Sequence, residues 1–263
     1  RNRKSQMKYL NISGYPLWSF EWANNGEVVL LLHGGLSNTD SFADVMVAPL
    51  QDSFHLFAYD RAGHGRSADQ PGSFYFDFQR DEAIAFISEV IKEPVHLVGY
   101  SDGANIALMV AIARPDLVKS IVSIAANFNA DGIVELPVFD PAGISDEERA
   151  EYALMSPDAP ETLVIKNAKM HEIWKVEPNI DITDIAQISV PTLVMAGDDD
   201  VVKHSHSIEL YEALPLGQLA IVPGTSHGLV KEKPEIVTAL IKSFLSDQSY
   251  PLTRQPIRRT NPA

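Results

Sequence analysis

Cysteine is absent from all 263 residues. That excludes disulfides, a thiol nucleophile and thiolate metal sites, and it leaves the redox compartment open. Apolar runs of membrane-spanning length are also absent, and no signal peptide is visible. The default expectation is a cytoplasmic protein without membrane partners. The chain opens at Arg1 rather than Met, which leaves open that an upstream segment was removed. Positive charge is scarce: 21 Lys and Arg stand against 35 Asp and Glu, a net charge of −14. Six of the basic residues, Arg1, Arg3, Lys4, Arg254, Arg258 and Arg259, lie at the two ends, where no acid occurs, so the body between carries −20. Such a body repels nucleic acid and anionic membranes and argues against a strongly anionic substrate. The hydrophobic content of 45% is enough for a full core, and the length suits one domain with room for an insertion.

No internal repeat or low-complexity block interrupts the pattern. Residues 7–32 read as short strands with turns at Gly14 and at Asn24-Asn25-Gly26. A short amphipathic helix follows over 40–50, then a strand over 54–59. A longer helix over 74–92 has Asp77 as its expected cap and Pro94 behind it. Strand 95–99, helix 102–113 and strand 118–125 come next. Strands alternating with helices imply an α/β fold with a mostly parallel central sheet covered by helices on both faces. The alternation breaks over 127–189. There Ser145 to Met155 reads as a charged helix with a Ser145/Glu148 capping box, and Glu161 to Val176 has apolar residues at helical spacing. It resumes with strand 190–196, helix 205–214, strand 218–222 and helix 234–246. The tail from Tyr250, rich in Pro and Arg, has no period and is expected to be mobile.

The most informative segment is Gly99-Tyr100-Ser101-Asp102-Gly103, which reads G-x-S-x-G. An apolar strand precedes it and a helix of buried composition follows. In that context a serine becomes a nucleophile at the tip of a strained elbow. Side chains at 99 and 103 would collide with the neighbouring strand and helix, so only glycine fits. A serine hydroxyl needs a base, and the base needs an orienting group. Two late strands offer both: one runs into Gly197-Asp198-Asp199-Asp200, the other into Gly224-Thr225-Ser226-His227. Both are strand C-terminal ends, where open α/β sheets place their ligands.

These features resemble the α/β-hydrolase superfamily over nearly the whole chain. The match rests on His33-Gly34-Gly35 after an apolar strand, on Asp60 to Ser67 as a D-x-x-G-x-G-x-S loop, on the elbow, and on the two late loops. The resemblance implies an α/β-hydrolase fold with a core of 7–126 and 190–247, a small helical cap of 127–189, and tails of 1–6 and 248–263. It selects Asp200 as the acid, with Asp198 second, and His227 as the base. His33 and His64 fall in glycine-rich family loops and read as structural. His204 and His206 suit a polar helix start as well as metal ligands, and no further ligand set appears, so no metal or other cofactor is expected.

The chemistry implied is acyl transfer: Ser101 attacks a carbonyl, His227 takes and returns the proton, and Asp200 orients the imidazole. The oxyanion hole is expected from the backbone N–H groups of Asp102 and Gly35. Many relatives carry an uncharged residue where Asp102 stands. Its carboxylate either complements the helix N-terminus or borders the cleft and favours a cationic substrate. Asn127 and Phe128 are expected in the substrate pocket, with Met170 and Trp174 of the cap either joining them or packing the cap onto the body. The expected activity is hydrolysis of a small or medium carboxylic ester, a small-molecule partner. C–C bond hydrolase, cofactor-free haloperoxidase, acyltransferase or a slow receptor-like homologue are the alternatives on the same triad. Nothing in the sequence sets the oligomeric state.

Overall fold

The computed structural model describes residues 5–247 and 250–259. Residues 1–4, 248–249 and 260–263, parts of the two expected tails, lie outside the described residues. Among those described, eight strands form one sheet in the order β1-β2-β4-β3-β5-β6-β7-β8. β1 (Ser5–Ile12) and β2 (Tyr15–Trp22) form an antiparallel hairpin, and β2 pairs antiparallel with β4 (His55–Tyr59). From β4 onward every pair is parallel: β3 (Val28–Leu32), β5 (Val95–Tyr100), β6 (Val118–Ile124), β7 (Thr192–Asp199) and β8 (Gly217–Ser226).

β3 is apolar at every position because helices cover both faces of the sheet. All five residues of β3 are buried. Alternate side chains point to opposite faces, so Leu30, Leu32 and Leu97 join one apolar cluster while Val29, Leu31 and Val98 join the other. The first cluster takes in α2 (Phe76–Phe86, continued by a π-helical turn Ile87–Ile91), α3 (Asp102–Ala113) and α7 (His204–Ala213). The second takes in α1 (Thr39–Leu50) and, near the C-terminus, α8 (Leu229–Glu232) and α9 (Pro234–Ser246). Between β6 and β7 the chain leaves the sheet and forms α4 (Asp146–Met155), α5 (Thr162–Trp174) and α6 (Ile182–Ile185). Ser145 and Glu148 make the capping box that the sequence predicts for α4. Met170, Ile173, Ile180 and Ile185 carry this segment into the first cluster.

Three expectations change. Asp77 is not the cap of α2: the helix starts at Phe76, whose N–H donates to Glu177 Oε2 at 2.9 Å, so a side chain distant in sequence satisfies the free donor. Asp77 instead pairs with Arg80. Strand β1 begins at Ser5, inside the stretch expected as a tail, because its pairing with β2 runs the full length of the hairpin. Residues 250–259 have no regular structure, yet Arg258 lies over the Tyr211 ring at 4.0 Å and donates to the carbonyls of Tyr211 and Glu212. No helix of the described residues is long and apolar enough to cross a membrane.

One buried carboxyl sets a pH dependence of stability. Glu82 on α2 is 2% exposed and accepts from Tyr15 Oη at 2.8 Å and from the Ala62 N–H. Burial pushes its pKa up to about 7, against the pull of these donors and of Arg61. The folded value lies above the unfolded one, so this stabilising contribution is fully present below about pH 4.5 and is lost as pH rises through about 7. Glu82→Gln is therefore expected to flatten the pH profile. In urea titrations, the stability of wild type relative to Glu82→Gln falls by about 3 kcal/mol between pH 4.5 and 8. A constant difference across that range rules the assignment out.

Candidate active site

Local backbone geometry places Ser101 first. It sits between β5 and α3 at φ 54° and ψ −117°, a region that side-chain-bearing residues rarely occupy. The two flanking glycines make the turn possible by close approach. A Cβ on Gly99 would run into the backbone of Gly103 and Ala104, and one on Gly103 into the carbonyls of Leu32 and His33 at the end of β3. The collisions predicted from the sequence are thus found with α3 and with β3. Ser101 N–H donates to Ile124 O at 2.8 Å, which ties the elbow to β6.

Around the serine hydroxyl the sheet's C-terminal edge assembles a hydrogen-bonded chain. Ser101 Oγ lies 3.0 Å from His227 Nε2, and His227 Nδ1 lies 2.7 Å from Asp200 Oδ1. The Asp200 side chain is fully buried while His227 remains 31% exposed. Val202 N–H also donates to Asp200 Oδ1, at 3.0 Å. Asp198, the second candidate, faces away: it accepts from Thr225 N–H at 3.1 Å, and backbone donors from Gly224 and Thr225 hold its carboxyl below the usual range. The three-carboxylate run is sorted by strand direction, since β7 still pairs with β8 at Asp199–Ser226 before the chain turns out at Asp200.

Tyr100 is a contributor that the sequence reading missed. Its hydroxyl donates to His227 O at 2.6 Å and so fixes the histidine loop. Burial first, then the charges of Asp200 and Glu232, push its pKa up to about 12, so it stays a donor. It occupies a position of the G-x-S-x-G pattern that carries no residue preference. Arg61 is a second. It is 1% exposed and donates to His33 O at 2.5 Å and to Gly34 O at 3.0 Å.

Asp102 begins α3, so its N–H has no partner within the helix. Its carboxylate, one of two readings of which had it bordering the cleft, is 3% exposed and accepts from Trp174 Nε1 at 3.0 and 3.1 Å. Burial raises its pKa, opposed by Arg61, by the Trp174 hydrogen bond and by His227. A Cβ on Gly35 would overlap the Asp102 carboxylate and approach the Trp174 indole, so the loop after β3 packs directly on the elbow.

The remaining expected pocket residues are placed differently. Met170 is wholly buried in the main apolar cluster. Phe128 is 2% exposed and stacks on His206 at 3.9 Å, and its N–H donates to His206 Nε2 at 3.0 Å. That bond requires an unprotonated Nε2, and burial lowers the His206 pKa to about 4. Asn127 accepts from Asn105 Nδ2 at 3.1 Å. None of the five residues expected at the pocket lines the cavity of about 260 Å³ that opens beside the site. Its walls are the loop Leu36 to Asn38, the loop Gly63 to Gly65, and the facing sides of α4 and α5, including Tyr152, Met155, Leu163 and Lys166. Neither Ser101 nor His227 lines it, but Leu36 adjoins Gly35, so it starts one residue from the elbow's partner loop. Of the two readings of Met170 and Trp174, packing the cap onto the body is the one found for Met170. Packing turns Met170 into the core and presents Leu163 and Lys166, with α4, to the cavity.

A mostly parallel sheet in this order, with a serine on the β5–α3 elbow and the histidine and aspartate on loops after its last two strands, defines an α/β-hydrolase fold. The sequence profile described as "Alpha/beta hydrolase family" matches residues 29–240, and the chain belongs to that family. It is 24% identical to "Putative carbamate hydrolase RutD" of Agrobacterium fabrum over 82% of this chain and 92% of that one. It is 27% identical to a non-heme haloperoxidase of Rhodococcus erythropolis, over 88% and 96%. Among solved structures, a serine hydrolase involved in carbazole degradation superposes with a TM-score of 0.75 at 21% identity, over 92% of this chain and 99% of that one.

The elbow makes a direct prediction. Gly103→Ala places a methyl group against two main-chain carbonyls and is expected to cost about 3 kcal/mol or more. Gly143→Ala, where nothing lies within 4 Å of the added carbon, is expected to stay within about 0.5 kcal/mol of wild type. Thermal and urea unfolding of the pair reads the difference, and equal stabilities would remove the close-approach argument.

Proposed function

We propose that this chain is a serine hydrolase that cleaves a small or medium carboxylic ester. The observation that carries the reading is the unbroken chain Ser101 Oγ, His227 Nε2, His227 Nδ1, Asp200 Oδ1 at 3.0 and 2.7 Å, built on a strained elbow. Ser101 Oγ attacks the carbonyl carbon and its proton passes to His227 Nε2. Collapse of the tetrahedral intermediate expels the alcohol, which takes that proton and leaves an acyl group on Ser101. Water then attacks the acyl-enzyme, His227 again accepts the proton, and as the acyl–oxygen bond breaks it returns that proton to Ser101 Oγ and the acid is released. Asp200 stabilises the imidazolium in both halves. The N–H groups of Asp102 and Gly35 receive the developing oxyanion. Residues 127–189 act as the lid, and the 260 Å³ cavity between α4, α5 and the two loops takes one substituent of the substrate.

A carbamate is a second substrate class for the same steps, since it presents an acyl carbon to the same nucleophile. The name of the Agrobacterium relative favours testing it. The experiment is steady-state hydrolysis of p-nitrophenyl butyrate and of a p-nitrophenyl carbamate by wild type, Ser101→Ala and Asp200→Asn. Sustained turnover by wild type is expected, with kcat lower by at least about 10³-fold in both variants. Undiminished hydrolysis by Ser101→Ala would exclude the acyl-enzyme. A single burst without turnover in wild type would point to an acyltransferase or a receptor instead.

A further inference from the structure

Arg61 is the largest side chain buried below 2% exposure in the molecule's described part, and it lies beside the oxyanion loop. Burying a guanidinium is costly unless charges and hydrogen bonds compensate it. Here the carboxylates of Asp102, Glu82 and Asp60 and the hydroxyl of Tyr59 face it. Its planar fork is spent on three acceptors. Nε donates to Gln79 Oε1 at 2.8 Å, Nη1 to His33 O at 2.5 Å and Nη2 to Gly34 O at 3.0 Å. Gln79 is held in turn by donating to Phe74 O at 2.9 Å. The backbone N–H of Arg61 donates to His33 Nε2 at 3.2 Å, which leaves the proton on Nδ1, and Nδ1 donates to Gly34 O at 2.7 Å.

We propose that Arg61 is a positioning residue that aims the Gly35 N–H at the oxygen of the substrate carbonyl. The inference rests on the serine-hydrolase reading of the same site. In a planar trans peptide, the carbonyl of residue 34 and the N–H of residue 35 point in opposite directions. Gly34 O is gripped from one side by two donors, Arg61 Nη2 and His33 Nδ1. The Gly35 N–H therefore faces the other side, where the loop passes the elbow. A Cβ on Gly34 would lie 3.7 Å from Ser101 Cβ, and Gly35 packs on Asp102. Two consecutive glycines have no side chains to fix their own peptide plane and a wide range of backbone conformations. Orientation has to be imposed from outside, and the fork of an arginine can hold two successive carbonyls at once, where an ammonium is a single point. Arg61 itself touches no substrate and acts through the loop.

The test is Arg61→Lys, which keeps a positive charge beside Asp102 and Glu82 but cannot hold both carbonyls. For p-nitrophenyl butyrate, kcat is expected to fall roughly 10- to 100-fold with KM within about threefold of wild type. The inhibition constant of butaneboronic acid, whose tetrahedral adduct on Ser101 places an oxygen in the oxyanion hole, is expected to rise by a similar factor. If Arg61→Lys does not fold, Gln79→Met carries the test, since it removes the acceptor that orients Nε, along with Gln79's own hydrogen bond to Phe74 O, and leaves Arg61 in place. It is expected to move kcat and boronate affinity in the same direction by a smaller factor. A variant with lowered melting temperature but wild-type kcat and boronate affinity shows that Arg61 is structural only and overturns the proposal, as does a rise in KM at unchanged kcat. A wild type that neither turns over the ester nor binds the boronate sinks the serine-hydrolase reading and this inference with it. A wild type that does both beside an unaltered variant sinks this inference alone.

Discussion

Ser101 at φ 54° is the constraint on which the surrounding structure depends. A non-glycine residue in that conformation costs of the order of 1–3 kcal/mol and persists only where its neighbours leave no alternative. Here the neighbours are main chain: α3 begins immediately after it, β3 ends against Gly103, and β6 accepts the Ser101 N–H. The parallel sheet supplies rigidity that a loop could not. The same directionality brings the chain ends of β5, β7 and β8 to one edge, so a serine, an aspartate and a histidine separated by up to 126 residues meet within hydrogen-bond distance.

Beneath that edge lies a cluster of four buried charged side chains. Arg61, Asp102, Asp60 and Glu82 are each 3% exposed or less. Together they replace hydration with one another and with main-chain partners. Asp60 accepts from the N–H groups of Thr39 and Arg66, which joins the start of α1 to the loop after β4. Asp102 anchors Trp174 at the end of α5. The elements around Ser101 are thus tied by directional bonds. Directional bonds specify a unique arrangement where apolar contacts alone tolerate repacking.

The segment between β6 and β7 has a double character. One side of α5 is core, through Met170 and Ile173, and its end is bound to the elbow. The outer side, with α4, is solvated and bounds the cavity beside the loop after β3. Ion pairs also cross the gap: Lys169 reaches Asp69, and Asp158 accepts from Asp69 N–H as well as pairing with the buried Lys166. A substituent entering the cavity meets a wall that is part rigid core and part polar helix surface.

Sequence alone determined the fold class, the alternation of strands and helices, and the elbow with its two glycines. These are legible because local sterics and hydrophobic period act over a few residues. Gly99 and Gly103 had to be small wherever the rest of the chain went, and helix 102–113 and helix 234–246 follow from their own composition. Choosing Asp200 over Asp198 took the family pattern, and its physical basis, the point where β7 stops pairing with β8, is a property of the sheet. Other matters were decided only by tertiary structure. Phe76 rather than Asp77 begins α2 because Glu177, a hundred residues away, supplies the acceptor. Met170 lies in the core because helical spacing marks an apolar face without saying what it will meet, and Phe128, just past β6, because His206 of α7 stacks on it. Arg61 and Tyr100 sit at variable positions of their motifs, so nothing local distinguished them. Apart from Gln79 Oε1, their partners are main-chain carbonyls, which every residue possesses, and only the folded chain selects which carbonyls those are.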